Sequence, residues 1–178
     1  MITINTRAEA RAFLNAVLKS CKGYDRGPLS WTNTDRKFSF WVTNGIFGAQ
    51  IEALGVDSTE QTTRRGVSYA AIKDLVSTLA ASDKRTGYDL SEDLRAISDD
   101  YFQPLGKVME LVLAKPEISG MDLDLSQVAR LAPLLELRDG TKFPARVTVT
   151  IRGKVNDWAL EVRASTDFHA VVMGTKRL

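Results

Sequence analysis

The chain has few of the groups that covalent chemistry uses. One cysteine, Cys21, and one histidine, His169, occur in 178 residues. A lone cysteine excludes an internal disulfide and fits a reducing compartment. No apolar run approaches the roughly 18 to 20 residues of a membrane span. Met1-Ile2-Thr3-Ile4 lacks the basic start and long apolar core of a signal peptide, so an intracellular protein is expected. There is no Gly-x-x-x-x-Gly-Lys phosphate cradle, no dinucleotide fingerprint and no Gly-x-Ser-x-Gly elbow. His169 follows Asp167 and Phe168 in a strand-like run, and Cys21 lies on an apolar helix face, so both read as packing residues. Asp122 and Asp124 would share one side of a strand, but with no third ligand nearby they read as a solvent-facing pair. No catalytic group, metal or cofactor is expected.

What is present is a soluble globular composition, 44% hydrophobic and 26% charged. The formal charge of +2 is too small to diagnose a nucleic-acid partner, so the placement of the cations must decide.

Ile2 to Ile4 alternate as a short strand, and Thr6-Arg7-Ala8-Glu9 is a capping box opening a helix that should run to about Lys22, before Gly23. Ala10, Phe13, Leu14, Val17 and Cys21 fall on one side of that helix. Arg7, Arg11, Asn15, Lys19 and Lys22 fall on another, an arc without a carboxylate. Its simpler reading is a solvated face. Three strands follow, Pro28 to Thr32, Lys37 to Thr43 and Phe47 to Leu54, separated by Asn33-Thr34-Asp35 and Asn44-Gly45. Phe38, Phe40 and Val42 alternate with Ser39, Trp41 and Thr43, as in a sheet with one face on a core.

After the connector Val56 to Thr63, Arg64 to Val67 predicts a strand, and Ser68 caps a helix with Ile72, Leu75, Val76 and Leu79 on one face. Two readings stay open for Ser82 to Gly120. Tyr88-Asp89-Leu90 and Leu94 to Ile97 can form a hairpin about Ser91-Glu92-Asp93; Leu105, Val108, Met109 and Val112 mark a helix opened by Pro104 and closed before Pro116. Met121, Leu123 and Leu125 then alternate as a strand. Ser126 caps a helix over Gln127 to Leu135, which Pro133 should shorten or kink. Phe143 to Arg152, Trp158 to Ala164 and Phe168 to Met173 read as three closing strands, with Trp158, Leu160 and Val162 facing one way and Ala159, Glu161 and Arg163 the other. Trp31, Trp41 and Trp158 all lie in strand-like runs, where packing is expected rather than base stacking.

The order strand, helix, three strands thus opens and closes the chain, and its ending resembles a known one. Val171-Val172-Met173-Gly174-Thr175-Lys176-Arg177-Leu178 is similar to the Val-Val-Met-Pro-Met-Arg-Leu ending of bacterial DNA polymerase sliding clamps. Arg26-Gly27-Pro28-Leu29 resembles that family's Arg-Pro-x-Leu entry to its second strand. Val42-Thr43-Asn44-Gly45 resembles its Ala-Thr-Asp-Gly turn. The resemblance implies an α/β (α+β) fold of sliding-clamp-like repeats, with helices packed on one face of antiparallel sheets. Residues 1–57 would form a first repeat, 58–120 a partial second repeat or insertion, and 121–178 a C-terminal repeat.

It also implies a function: a replication protein of a bacterial or phage-infected cell's cytoplasm, forming a homo-oligomeric ring around duplex DNA as a processivity factor that tethers a polymerase or other replication proteins. Clamp helices line the hole, which makes Arg7, Arg11, Lys19, Lys22, Lys73 and Arg130 the DNA-facing candidates. Sliding needs cations near phosphates and no base-reading groups. A groove for partner peptides would involve Val171, Val172, Met173, Arg177 and Leu178, although Gly174-Thr175-Lys176 replaces the family's Pro-Met. The alternative is a monomeric, phage-encoded adaptor or decoy that binds a host clamp or replication protein without encircling DNA.

Overall fold

A computed structural model describes residues 2–56, 62–100, 105–117, 126–139, 147–154, 157–165 and 168–173. Their elements run β1 (Ile2–Thr3), α1 (Arg7–Ser20), β2 (Leu29–Thr34), β3 (Lys37–Thr43), β4 (Phe47–Leu54), β5 (Thr62–Val67) and α2 (Tyr69–Thr78). These are followed by α3 (Leu90–Ile97), α4 (Leu105–Leu113), α5 (Ser126–Ala129), α6 (Ala132–Asp139), β6 (Thr148–Lys154), β7 (Asp157–Ser165) and β8 (Phe168–Met173).

Local signals set most of these boundaries. The Thr6 hydroxyl accepts from the Glu9 backbone N–H, and the Glu9 carboxylate accepts from the Thr6 N–H, completing the capping box of α1. The helix ends at Ser20, short of Lys22, where Cys21 takes the cap. Between β3 and β4, Asn44 Oδ1 accepts from the N–H groups of Ile46 and Phe47 while Gly45 adopts φ +85°.

The strands form one sheet in the order β5-β2-β3-β4-β8-β7-β6, antiparallel throughout, with β1 added parallel to the end of β4. The pairing of β4 with β8, from Phe47 opposite Val172 to Ile51 opposite Phe168, joins the two halves of the chain. Phe38, Phe40, Val42, Ala49, Ile51, Leu160, Val162, Phe168, Ala170 and Val172 face one side and bury against α1, α2 and α6. There α1 lies between α2 and α6, and Phe13 meets Phe40 at 4.4 Å between ring centroids. On the opposite side α4 packs Met109 and Val112 onto Ala159 and Val171.

Two expectations are corrected. The hairpin of Tyr88-Asp89-Leu90 with Leu94 to Ile97 about Ser91-Glu92-Asp93 does not form; Leu90 to Ile97 is the helix α3. The Asp89 carboxylate caps it by accepting from Ser91 N–H, and Leu90 and Leu94, one turn apart, are fully buried. The segment after Ser126 is two helices with a break at Arg130-Leu131, and Pro133 sits in the first turn of α6, where its missing N–H costs nothing. The helix expected from Leu105, Val108, Met109 and Val112 is α4. The strand expected over Met121 to Leu125, with Asp122 and Asp124, lies outside the described residues, as does the start of the Phe143 to Arg152 strand.

At Gly55 a Cβ would stand 2.3 Å from Cε2 of Phe38, whose buried ring stacks on Phe40. Gly55→Ala should therefore destabilise the fold by about 1–3 kcal/mol, read as a lower urea midpoint at unchanged slope.

Candidate nucleic-acid interface

The cations expected to line a DNA-facing surface divide into two groups. The α2 side of α1 carries Arg7 and Arg11, and both are engaged within the chain. Arg7 Nη1 donates to Asp83 Oδ2 at 3.0 Å and its guanidinium lies over the Tyr88 ring, 5.3 Å from the centroid. Arg11 Nη1 donates to the carbonyl of Leu79 at 2.6 Å. The segment following α2 is thereby tied to the start of α1, reinforced by Ala8 N–H on Asp83 O and Tyr88 N–H on Asn5 O. Asp83 also receives Arg85, and these hydrogen bonds hold its carboxyl well below the usual carboxylate range.

Lys19, Lys22, Lys73 and Arg130 are exposed. None of the three lysines has an ion pair among the described residues. Lys19 borders a groove between α1 and α6, floored by Ala12, Ala16 and Leu137 and rimmed by Glu136. Arg130 sits near enough to Cys21 to act on its thiol. Burial nonetheless pushes that thiol up to about 12, so Cys21 stays protonated, its Sγ on the Thr43 carbonyl at 3.2 Å. It is a packing residue.

The residues expected at a peptide groove are placed differently from one another. Val171 and Val172 are both buried, Val171 beneath α4 and Val172 in the main core. Met173 is half-buried, and its N–H donates to Ile46 O at 2.8 Å. Arg177 and Leu178 lie outside the described residues.

One cluster has no signature in the sequence. Glu161, 2% exposed, accepts from Arg152 Nε at 2.6 Å and from Arg163 Nε, and stands 3.2 Å from His169 Nε2 without the alignment of a hydrogen bond. Arg152 reaches on to the Lys115 carbonyl and the Glu117 carboxylate, fastening the segment after α4 to β6. Burial would raise the Glu161 carboxyl, but the two arginine hydrogen bonds and charges outweigh it and hold it low. Burial depresses His169 despite the neighbouring carboxylate. Alternation puts Glu161 and Arg163 on the non-core face; the cross-strand register that gathers His169 and Arg152 about Glu161 has no local signal.

No protein-family model matches this chain, and no curated protein matches it in sequence. Solved structures do match the fold, an antiparallel sheet with helices packed on both faces, α1 flanked by α2 and α6 on one of them. That fold is sliding-clamp-like. A DNA polymerase sliding clamp from Pseudomonas aeruginosa aligns with a TM-score of 0.50 at 11% identity, over 97% of this chain and 63% of that one. The DNA polymerase III beta subunit from Thermotoga maritima aligns over 100% of this chain and 32% of that one, at 10% identity and TM-score 0.34. The chain thus spans less than two thirds of either protein. No helix among the described residues is long and apolar enough to cross a membrane.

Within the Glu161 cluster, the depressed pKa values of Glu161 and His169 give stability a defined acid limb. Each group binds its proton more weakly in the folded chain, so its contribution is present above the unfolded pKa and lost as pH falls below it. For His169 the loss begins near the ordinary value of 6.5, and for Glu161 near the ordinary value of 4.5. Urea midpoints should fall in two stages on acidification, and His169→Gln should remove the upper stage while sparing the lower.

Proposed function

We propose that this chain is a clamp-fold replication protein that turns the α1, α2 and α6 layer toward duplex DNA and holds a polymerase or other replication factor there, several copies together enclosing the duplex. The observation that carries this reading is the helix layer itself: one face of the sheet, with Lys19, Lys22, Lys73 and Arg130 exposed on it. Such cations bind phosphates without sequence preference and exchange them readily, which suits sliding. Arg7 and Arg11 serve the fold in this reading, since each already has a partner within the chain. A partner's peptide would engage Met173 and the tail beyond it, because Val171 and Val172 are covered.

A second reading is favoured by the sheet edge at β5. Gly66 exchanges both backbone hydrogen bonds with Asp99, each 3.0 Å, which obstructs strand addition there. A chain unable to continue its sheet at that edge would act as an adaptor bound to a clamp or replication factor without encircling DNA.

Retention on DNA of different topology separates the two. A ring stays on closed circular duplex and is lost when the circle is cut; an adaptor shows no such difference. For the DNA-facing surface, the triple variant Lys19→Glu, Lys22→Glu, Lys73→Glu should weaken duplex binding and reduce the slope of log affinity against log salt by about 0.9 for each phosphate that is no longer neutralised. Unchanged affinity and slope would remove α1 and α2 from the interface. Arg7→Ala should instead lower the unfolding midpoint.

A further inference from the structure

The three helices on the core side of the sheet bring their charges to two different ends. Tyr69 Oη donates to the carbonyl of Leu18 at 3.3 Å, so α2 begins beside the end of α1, and Arg11 on the carbonyl of Leu79 shows that it ends beside the start. Arg130, which precedes α6, acts on Cys21 at the close of α1, while Leu137 near the end of α6 lies with Ala12 and Ile2. Both neighbours therefore run antiparallel to α1. The exposed cations Lys19, Lys22, Lys73 and Arg130 gather in consequence at one end of the layer. Asp74 offsets its neighbour Lys73, which leaves the net charge there to the other three. The far end is acidic. Arg7 and Arg85 meet Asp83, and Asp89, Glu92 and Asp93 line a cavity with them. Glu9 stands at that end too, its carboxylate taken up by the N–H groups of Asn5 and Thr6.

One carboxylate lies between the two ends. Asn15 and Lys19 line the groove from α1, Pro133 and Glu136 from α6. Leu134 and Leu135 are buried, and Glu136 after them is exposed at the rim of the groove. Unlike Glu9, it makes no side-chain hydrogen bond or ion pair among the described residues, so its charge is left to act on whatever approaches. We propose that duplex phosphates contact only the cationic end of the layer, and that Glu136 is the repulsive charge that ends their path along the α1–α6 groove. A like charge beside a binding cation disfavours the next phosphate position and leaves the occupied ones in place. It also limits how many phosphates the chain neutralises, and affinity and salt dependence both rise with that number. This role rests on the reading of the helix layer as the DNA-facing surface; it adds where on that surface the backbone lies and what holds it there.

The test is duplex binding by the full chain, titrated over a range of salt concentrations. Glu136→Gln should tighten low-salt affinity by about two- to fivefold, the effect of one unit charge a few ångströms from a phosphate in water, with the slope of log affinity against log salt unchanged. Glu136→Lys should tighten it further and steepen the slope by about 0.9, for one more phosphate neutralised. Glu110 is exposed on α4, across the sheet from this layer, so Glu110→Gln makes the same change of net charge and should bind as the wild type does. Both carboxylates are exposed, and all three variants should keep the wild-type unfolding midpoint. A Glu136→Gln chain that binds no tighter than wild type, or a gain matched by Glu110→Gln, would overturn the proposal while leaving the DNA-facing layer in place. A wild type without salt-dependent duplex binding would instead remove the DNA-facing reading, and this role with it.

Discussion

Everything in this fold hangs on the antiparallel contact between β4 and β8. Five residue pairs from Phe47–Val172 to Ile51–Phe168 weld an N-terminal strand-helix-three-strand segment to the closing strands and make one sheet of the two. The contact also fixes where α4 lies. Gly48, opposite Val171, offers no side chain, and Leu105 Cδ2 stands 2.9 Å from where a Cβ would be, so the helix settles directly on the joined strands. β4 and β8 are consequently covered on both faces, which is why two consecutive residues, Val171 and Val172, are both buried. Covering of both faces removes the alternation that an antiparallel strand usually shows.

The helix layer shows how one amphipathic helix divides its charge between folding and surface. Arg7 and Arg11 lie on the flank of α1 toward α2 and are spent on Asp83 and the Leu79 carbonyl. Lys19 and Lys22, further round, remain in solvent. A surface for polyanions built on this layer would owe its position to the first pair and its charge to the second. Glu161 plays the corresponding organising role on the opposite face, where it holds Arg152, and through it the exit from α4.

The sequence declares the elements whose signals are local. The Thr6 to Glu9 capping box, the alternation of Phe38, Phe40 and Val42, and the Asn44-Gly45 turn all appear in the structure where chain order puts them. Leu90 to Ile97 departs from the hairpin read about Ser91-Glu92-Asp93 because eight residues hold barely two helical turns, and strand and helix patterns are hard to tell apart at that length; the Asp89 cap and the Leu90–Leu94 spacing decide for the helix. The engagement of Arg7 and Arg11 is not legible in the sequence, since it depends on where the chain after α2 returns. Nor is the Glu161 cluster, because Arg152, Glu161 and His169 belong to three strands whose register is a tertiary property.

The position of β8 bears on how the molecule is made. It follows every other described element in the chain, yet it occupies the middle of the sheet. Until it is synthesised, β4 presents an edge unpaired from Phe47 to Ile51, beyond the short contact with β1, and the apolar faces of α1 and β3 enclose an unfinished core. Contacts of such long sequence separation form slowly, because the loop must close before they repay its entropy. A nascent chain stalled before Phe168 would thus carry a fully formed hairpin and helix with an adhesive border, a natural substrate for chaperones. Last of the described strands in chain order, β8 thus acts as the keystone between the strands made before it.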